Sequence, residues 1–274
     1  MEISIFLQAF LLTLLAGIST AIGAFLAFFK TKDESRILSF GLGFSGGVMI
    51  YLSFVEIMPK SMEYFSKIDS SNAEIFSVIC FFVGMIVAFG IDSLIPKDVN
   101  PHELKTQNEV HCILDEKHKY LKRNKAIHRT AIFTAIAITI HNFPEGFATF
   151  VSALDNFTFG VSIAIAVAIH NIPEGLAVSL PIYYATGNRK QALKLTFLSG
   201  LAEPLGAVVG YFILAPFLGD YTLAISFGII AGIMVFISID SLLPHSKLNA
   251  KGHESVVGVL FGMAIMAISL LVLN

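Results

Sequence analysis

Two hexapeptides of the chain place metal-binding side chains inside apolar segments. "HNFPEG" begins at His141 and "HNIPEG" begins at His170, and aliphatic and aromatic residues surround both. An ionisable group in such a setting needs a partner or a bound ion, because burying a charge without one is costly. Imidazole and carboxylate together suit divalent first-row metals such as zinc, iron, manganese, cobalt or nickel. The two motifs therefore predict a buried site for a divalent metal.

Helical geometry distributes the three ligand types of each motif around the helix. With His141 set at zero, Asn142 lies at about 100° and Glu145 at about 40°, so the glutamate points between the other two. The second motif supplies the same residue types at His170, Asn171 and Glu174. If the two segments are antiparallel and face each other, they can form a His₂Glu₂ site beside an Asn₂Glu₂ site, with the glutamates shared.

A third buried glutamate, Glu203, lies in "GLAEPLGA", outside both motifs. A proline adjoins each of the three glutamates, at positions 144, 173 and 204. Proline has no N–H and leaves the carbonyl four residues earlier without its helical donor. Loosened helical turns with bare carbonyls are typical of ion pathways through membranes.

The composition indicates an integral membrane protein. The chain is 55% hydrophobic and 14% charged, whereas soluble domains carry about a quarter charged residues. A membrane-spanning helix needs about 20 mostly apolar residues. Eight spans are predicted, at 3–29, 38–58, 75–95, 130–153, 159–184, 193–218, 222–244 and 255–273. We expect an all-α protein with a single transmembrane transporter domain over residues 1–274. The N-terminal "MEISIF" lacks a basic segment, which argues against a cleaved signal peptide.

The distribution of basic residues predicts the orientation. The loops after spans 1, 3, 5 and 7, with their span edges, hold sixteen of the eighteen Lys and Arg residues, leaving Lys60 and Lys67 for the other side. The positive-inside rule therefore places both termini outside the cytoplasm. The long loop at 96–129 is then cytoplasmic. It carries His102, His111, Cys112, His118 and His128, and the sequence leaves open whether they bind a regulatory metal or belong to an ordinary polar loop.

The chain also repeats itself internally. Residues 12–24 align without gaps on 195–207, with six of thirteen positions identical, and 47–59 resemble 232–244. Spans 1–3 are thus related to spans 6–8, and span 4 to span 5. Because spans 1 and 6 are five spans apart, they cross the membrane in opposite directions. An inverted repeat of this kind is typical of secondary transporters that bind their substrate near the midplane.

In these motifs and in their order, the sequence resembles the ZIP (Zrt/Irt-like) family of divalent metal transporters, most closely its bacterial ZupT- and GufA-like branch. The resemblance implies a two-metal centre. Its primary site would match His141, Glu145, His170 and Glu174. Its second site would match Asn142, Asn171 and Glu203, sharing Glu145 and Glu174. The resemblance also implies that spans 1, 4, 5 and 6 move against the other four, often within a homodimer.

We therefore expect a transporter in the cell membrane that takes up Zn²⁺, and with it Fe²⁺, Mn²⁺, Co²⁺ or Cd²⁺. The metal is the transported substrate, no cofactor is expected, and the partners are metal ions and the lipid bilayer, not nucleic acid. An exporter remains an alternative, because sequence symmetry does not set direction. A membrane-embedded metal hydrolase is a weaker alternative, since it needs a general base and an open coordination position. No H-E-x-x-H occurs in the chain.

Overall fold

A computed structural model of the chain describes residues 3–26, 28, 34–93, 139, 142–214 and 219–273. Within these ranges the polypeptide is helical apart from short turns. The helices are α1 (Ile3–Leu26), α2 (Glu34–Leu52), α3 (Met58–Ile68), α4 (Ala73–Ser93), α5 (142–155), α6 (Phe157–Thr186), α7 (Arg189–Gly200), α8 (Ala202–Leu214), α9 (Asp220–Ile237), α10 (Leu243–Asn249) and α11 (Glu254–Leu273).

Seven helical rods among the described residues are long and apolar enough to cross a membrane. They are Ser4–Phe25, Ser35–Ile68, Ala73–Ser93, Phe157–Leu180, Arg189–Ile213, Asp220–Leu248 and Glu254–Val272. The remaining predicted span, 130–153, is described from residue 142 onward and at Thr139 alone. Large apolar side chains such as Ile86, Phe212 and Leu271 are more than half exposed, as expected of surfaces that face lipid. The prediction of an all-helical membrane protein is confirmed.

The predicted ends of spans 2 and 7 are wrong, because prolines 59 and 244 do not terminate their helices. A π-helical turn, Ser53–Ile57, joins α2 to α3, and a second one, Ser238–Leu242, joins α9 to α10. In each turn the N–H just before the proline reaches the carbonyl five residues back, from Met58 to Ser53 and from Leu243 to Ser238. The wider turn accommodates the residue that lacks an N–H, and the rod continues beyond it.

The prolines beside the buried glutamates have different effects in α6 and in span 6. Helix α6 runs without interruption through Pro173, whereas span 6 breaks at Leu201 between α7 and α8, three residues before Pro204. A loosened turn near a buried glutamate is therefore present beside Glu203. At Pro173 the helix stays regular.

A one-residue connection makes α5 and α6 a tight helical hairpin. Asn156 alone separates the two helices, and its side chain caps α6 by accepting a hydrogen bond from the N–H of Phe159 at 3.1 Å. Helix α6 ends at Gly187, whose φ of 64° lies in the left-handed region that glycine tolerates. The hairpin brings the two "HN-PEG" motifs onto adjacent, antiparallel helices.

Helix α1 packs along α6 at very close range. A Cβ on Gly23 would lie 1.9 Å from the carbonyl oxygen of Ile172, and a Cβ on Gly175 would lie 1.9 Å from that of Thr20. Only glycine allows these two backbones to approach so closely. The contact fixes the depth of the second motif relative to α1.

Helix α8 makes an equivalent contact with α5. A Cβ on Gly206 would lie 2.0 Å from the carbonyl oxygen of Phe143, and a Cβ on Gly146 would lie 2.0 Å from that of Glu203. The first motif is therefore held against α8 just as the second is held against α1.

The other spans form a second group, in which α2 packs along α11 and α9 packs along α4. Buried serines fasten the ends of these rods to their neighbours. Ser61 of α3 donates to the carbonyl of Ala224 at 2.7 Å, and Ser246 of α10 donates to the carbonyl of Ser39 at 2.5 Å. Contacts between α2 and α6 join the two groups.

Candidate metal centre

The helical hairpin gathers three of the predicted ligands into one buried cluster. Glu145 of α5 meets His170 and Glu174 of α6, and one ligand atom from each lies within 4.8 Å of the other two. All three side chains are at most 1% exposed. Zinc binds oxygen and nitrogen ligands at about 2.0–2.2 Å, so ligand atoms that share one ion lie at most about 4.4 Å apart. The three side chains are therefore close enough to hold a single ion after small adjustments of their positions.

The imidazole of His170 is held in a definite orientation. Its Nδ1 lies 3.1 Å from the carbonyl oxygen of Ala166, one turn earlier, and its Nε2 lies 3.2 Å from Oε2 of Glu145. Because a carbonyl can only accept, Nδ1 must carry a proton and donate it. Nε2 then faces the carboxylate of Glu145. This arrangement leaves Nε2 as the ring nitrogen that could bind a metal beside that carboxylate.

Asn171 links α6 to two other helices. Its Nδ2 donates to the carbonyl of Ala16 in α1 at 2.9 Å and to Oε1 of Glu203 in α8. The structure thereby brings Glu203, which belongs to neither motif, beside the second motif. All of these groups are buried from solvent.

Asn142 makes the corresponding link for the first motif, donating from Nδ2 to the carbonyl of Ser199 in α7 at 3.3 Å. In both asparagines the nitrogen must face the carbonyl, because only the nitrogen can donate. The amide oxygens are therefore turned the other way, and within the described part of the chain neither Oδ1 has a hydrogen-bond partner. A buried acceptor left in this state is well suited to ligate a cation.

The structure thus brings together six of the seven predicted ligands. Glu145, His170 and Glu174 form the cluster, and Asn142, Asn171 and Glu203 lie around it on contacting helices. His141 lies outside the described residues, as do the histidines and the cysteine of the loop at 96–129. Their predicted roles remain predictions.

Ser45 is a residue near this centre that the sequence did not single out. Its hydroxyl donates to the carbonyl of His170 at 2.8 Å, across the boundary between α2 and α6. The contact ties the backbone of a metal-binding turn to the other group of helices. No pattern in α2 distinguishes Ser45 from the other serines of the membrane helices.

A bundle of apolar helices around a buried histidine–carboxylate cluster defines a membrane protein that handles divalent metal. A family model described as ZIP zinc transporter matches residues 7–270, and the chain belongs to this family. It is accordingly a transporter of divalent metal, with zinc the named ion, and not an enzyme.

Several relatives carry the name zinc transporter ZupT. The protein from Campylobacter jejuni is 58% identical over 96% of this chain and 95% of its own length. The protein from Oceanobacillus iheyensis is 51% identical over 97% of this chain and 98% of its own. The protein from Clostridium perfringens is 47% identical over 97% and 95%. The similarity extends over nearly the full length of each pair.

Proposed function

We propose that this protein takes up Zn²⁺ across the cell membrane into the cytoplasm by alternating access. The transported ion would bind midway through the bundle, in a two-metal centre. Its primary site is His141, Glu145, His170 and Glu174, and its second site is Asn142, Asn171 and Glu203, with Glu145 and Glu174 shared. The observation that carries the proposal is the buried cluster of Glu145, His170 and Glu174, whose ligand atoms lie within 4.8 Å of one another.

Metal binding at this centre exchanges protons for the ion. Three carboxylates close together in a low-dielectric site cannot all stay ionised without a cation, so the empty centre retains protons. A metal that binds between His170 Nε2 and Glu145 Oε2 displaces any proton held there. Binding should therefore weaken as the pH falls. An inside-negative potential of about 100 mV favours entry of a dication by about 4.6 kcal/mol if no charge moves outward.

The matched contacts of the fold support an inverted repeat of eight spans. The alignment of 12–24 on 195–207 pairs Gly23 with Gly206, and the two motifs pair Ile172 with Phe143. The close approach of Gly23 to Ile172 has its counterpart in that of Gly206 to Phe143, at 1.9 and 2.0 Å. The contacts of Thr20 and Glu203 with glycines of the motifs correspond in the same way.

The second group of helices supports the same repeat. The alignment of 47–59 on 232–244 pairs the π-helical turn Ser53–Ile57 with Ser238–Leu242. Continued in register, it pairs Ser61 with Ser246, and each of these serines donates to a carbonyl, at Ala224 and at Ser39, that the register also pairs. Shared contacts at shared positions support the repeat over chance similarity among membrane helices.

Further parts of the proposal rest on the sequence. The distribution of Lys and Arg supports an orientation with both termini extracytoplasmic and with the loop at 96–129 in the cytoplasm. The mixed oxygen and nitrogen ligands support transport of Fe²⁺, Mn²⁺, Co²⁺ or Cd²⁺ beside Zn²⁺. The resemblance to the family supports a homodimer in the bilayer.

The test is zinc flux into proteoliposomes in which the orientation of the protein is known. Glu145→Ala removes a ligand that both metal positions share, so we expect uptake to fall to the protein-free background while the protein still reconstitutes. Glu63→Ala is the matched control, because Glu63 is exposed and its carboxylate pairs with Lys60 and Lys67 at 3.1 and 3.4 Å.

Undiminished zinc flux in Glu145→Ala would refute the site. Zinc flux is also compared in the two directions under gradients of equal size. Faster flux from the cytoplasmic side to the outer side would refute uptake and establish the exporter alternative. Competition by Mn²⁺, Fe²⁺, Co²⁺ and Cd²⁺ in the same vesicles measures the range of metals.

A further inference from the structure

We propose that the hydroxyl of Thr20 is an additional oxygen ligand of the second metal position. The proposal deepens the function proposed above and rests on it. Thr20 belongs to α1, outside both "HN-PEG" motifs and outside the segment that carries Glu203. It would make the second position a site built from four helices rather than three.

Thr20 is a buried hydroxyl without a hydrogen bond. The residue is 0% exposed, and its Oγ1 has no partner within the described ranges. Hydroxyls in helices normally donate to the carbonyl one turn earlier. Thr13, two turns earlier in the same helix, does so to Ala9 at 3.0 Å, and Thr196 does so to Ala192 at 3.0 Å. Thr20 keeps its oxygen available instead.

Thr20 lies next to the backbone segments that hold the two asparagines of the proposed second site. Ala16, whose carbonyl accepts the amide of Asn171, is one turn earlier on the same face of α1. The Thr20 hydroxyl lies against Gly200, where an added Cβ would be 3.0 Å from Oγ1. Gly200 follows Ser199, whose carbonyl accepts the amide of Asn142.

In the proposed internal repeat, Thr20 corresponds to a residue whose neighbours the structure describes. The alignment of 12–24 on 195–207 pairs Thr20 with Glu203. The carbonyls of these two residues make the same close approach, to Gly175 and to Gly146, at 1.9 and 2.0 Å. Because Glu203 Oε1 meets Asn171, the equivalent neighbour of Thr20 is the other asparagine, Asn142.

Thr20 and Glu203 would give the second metal two chemically different oxygen ligands. Glu203 supplies a carboxylate with one negative charge, and Thr20 supplies a neutral hydroxyl. A neutral hard oxygen suits a first-row dication with little preference for soft metals. Substitution of Thr20 should therefore change which metal the second position prefers.

The experiment replaces the hard oxygen by a soft sulfur. Thr20→Cys is made in a background with Cys80→Ser and Cys112→Ser, and binding of Cd²⁺ and Mn²⁺ to the purified protein is measured by titration. We expect the ratio of Cd²⁺ to Mn²⁺ affinity at the second position to rise about tenfold or more. Thr13→Cys, buried in the same helix but hydrogen-bonded to Ala9, should leave the ratio unchanged.

Two further variants separate the hydroxyl from the shape of the side chain. Thr20→Val keeps the volume and removes the oxygen, so affinity for the second Zn²⁺ should fall about tenfold while the first ion binds as before. Thr20→Ser keeps the hydroxyl and should retain both ions at wild-type affinity. If Thr20→Cys does not fold, these two variants carry the test.

The proposal is overturned if Thr20→Val binds two zinc ions with wild-type affinities, or if Thr20→Cys and Thr13→Cys shift the metal preference equally. If the wild-type protein binds two zinc ions in the same titration, either of these results overturns the role of Thr20 but not the proposed function. Wild-type protein that binds no zinc, or binds it equally well as Glu145→Ala, overturns the proposed function and this proposal with it.

Discussion

Among the single residues of the centre, the asparagines serve both the packing of the helices and the proposed ligand set. In Asn171 the nitrogen bonds Ala16 and Glu203, while the oxygen has no hydrogen-bond partner among the described residues. Asn142 repeats the arrangement with Ser199. A carboxylate in the same place could not donate to a carbonyl, so aspartate is a poor substitute.

Replacing Asn171 should therefore affect both metal binding and stability. We expect Asn171→Leu, which is similar in size, to lower affinity for the second zinc ion about 10- to 100-fold. The lost interhelical hydrogen bonds should lower the free energy of unfolding by about 0.6–1.7 kcal/mol. Zinc titration and thermal unfolding in detergent measure the two effects.

Asn156 provides the control, because it caps α6 at the exposed end of the hairpin. Asn156→Ala should cost about 1 kcal/mol of stability through the lost cap and leave zinc affinity unchanged. If both variants bind zinc equally well, Asn171 only packs helices and is not part of the site.

The cluster of Glu145, His170 and Glu174 could be anticipated from the sequence because carboxylates and histidines are rare inside apolar segments. Ser45 and Thr20 could not, because most hydroxyls in membrane helices bond their own backbone and carry no signal. Only the three-dimensional structure shows that one donates to His170 and that the other has no partner among the described residues. The alignment that pairs Thr20 with Glu203 was visible in the sequence, but it did not reveal burial.

At the scale of helices, the two halves of the proposed repeat differ at the contact between Pro173 and Gly41. Helix α6 is packed on α2, where a Cβ on Gly41 would lie 3.2 Å from Cβ of Pro173. The corresponding pair, Pro144 of α5 and Ser226 of α9, instead lines an apolar groove of about 520 Å³. If the halves exchange conformations during alternating access, the groove closes and the α2–α6 contact opens.

A bulky residue in the groove should arrest this exchange. We expect Ser226→Trp to hold α5 away from α9. Overpacking costs about 1–3 kcal/mol, so zinc flux should fall about five- to hundredfold. Equilibrium zinc binding should stay near wild type, because the ligands are not touched. Flux in proteoliposomes and zinc titration in detergent separate the two quantities.

Ile239→Trp on the same rod is the matched control, since Ile239 is 54% exposed on the outer surface. It should change neither flux nor binding. Wild-type flux in Ser226→Trp would contradict the proposed closure of the groove.

The helices themselves were predictable to within a few residues, except where proline was taken as an end. A proline is expected to end a regular α-helix because its ring and its missing N–H break the hydrogen-bond pattern. Prolines 59 and 244 were therefore predicted to end their helices. The π-helical turns solve that problem through bonds between residues five apart.

At the scale of the whole molecule, aromatic side chains pack together at one end of the bundle. The rings of Tyr64 and Phe159 lie 5.9 and 6.4 Å from that of Phe227, and the Tyr64 hydroxyl bonds the carboxylate of Asp155. Lys67 lies 4.1 Å from the centre of the Tyr64 ring. In the proposed orientation this end faces away from the cytoplasm.

Labelling of single cysteines tests the orientation. In the Cys80→Ser, Cys112→Ser background, Ser71→Cys lies in the exposed turn between α3 and α4, and Lys190→Cys lies in the exposed first turn of α7. We expect a membrane-impermeant maleimide added to intact cells to label Ser71→Cys only. Lys190→Cys should react after permeabilisation, and the opposite pattern would invert the topology.

The membrane class followed from composition and spacing, because the bilayer imposes a length and a polarity on each helix. The count of eight spans and the inverted repeat stay predictions, since seven candidate spans lie within the described residues. The pairing of α1 with α6 and of α2 with α11 did not follow from the sequence. Glycine spacing indicates that helices approach closely, but it does not identify the partner helix.

The two π-helical turns also bear on the order of events in the evolution of this fold. Each turn represents one residue added to a regular helix, and such additions arise as single-codon insertions. The added residue occurs at two aligned positions, Ser53–Ile57 and Ser238–Leu242, and under the proposed repeat one insertion was inherited twice. Under the proposed repeat, the ancestral half-length gene already carried it before duplication and fusion. That ancestor would have functioned as a pair of identical subunits inserted in opposite orientations.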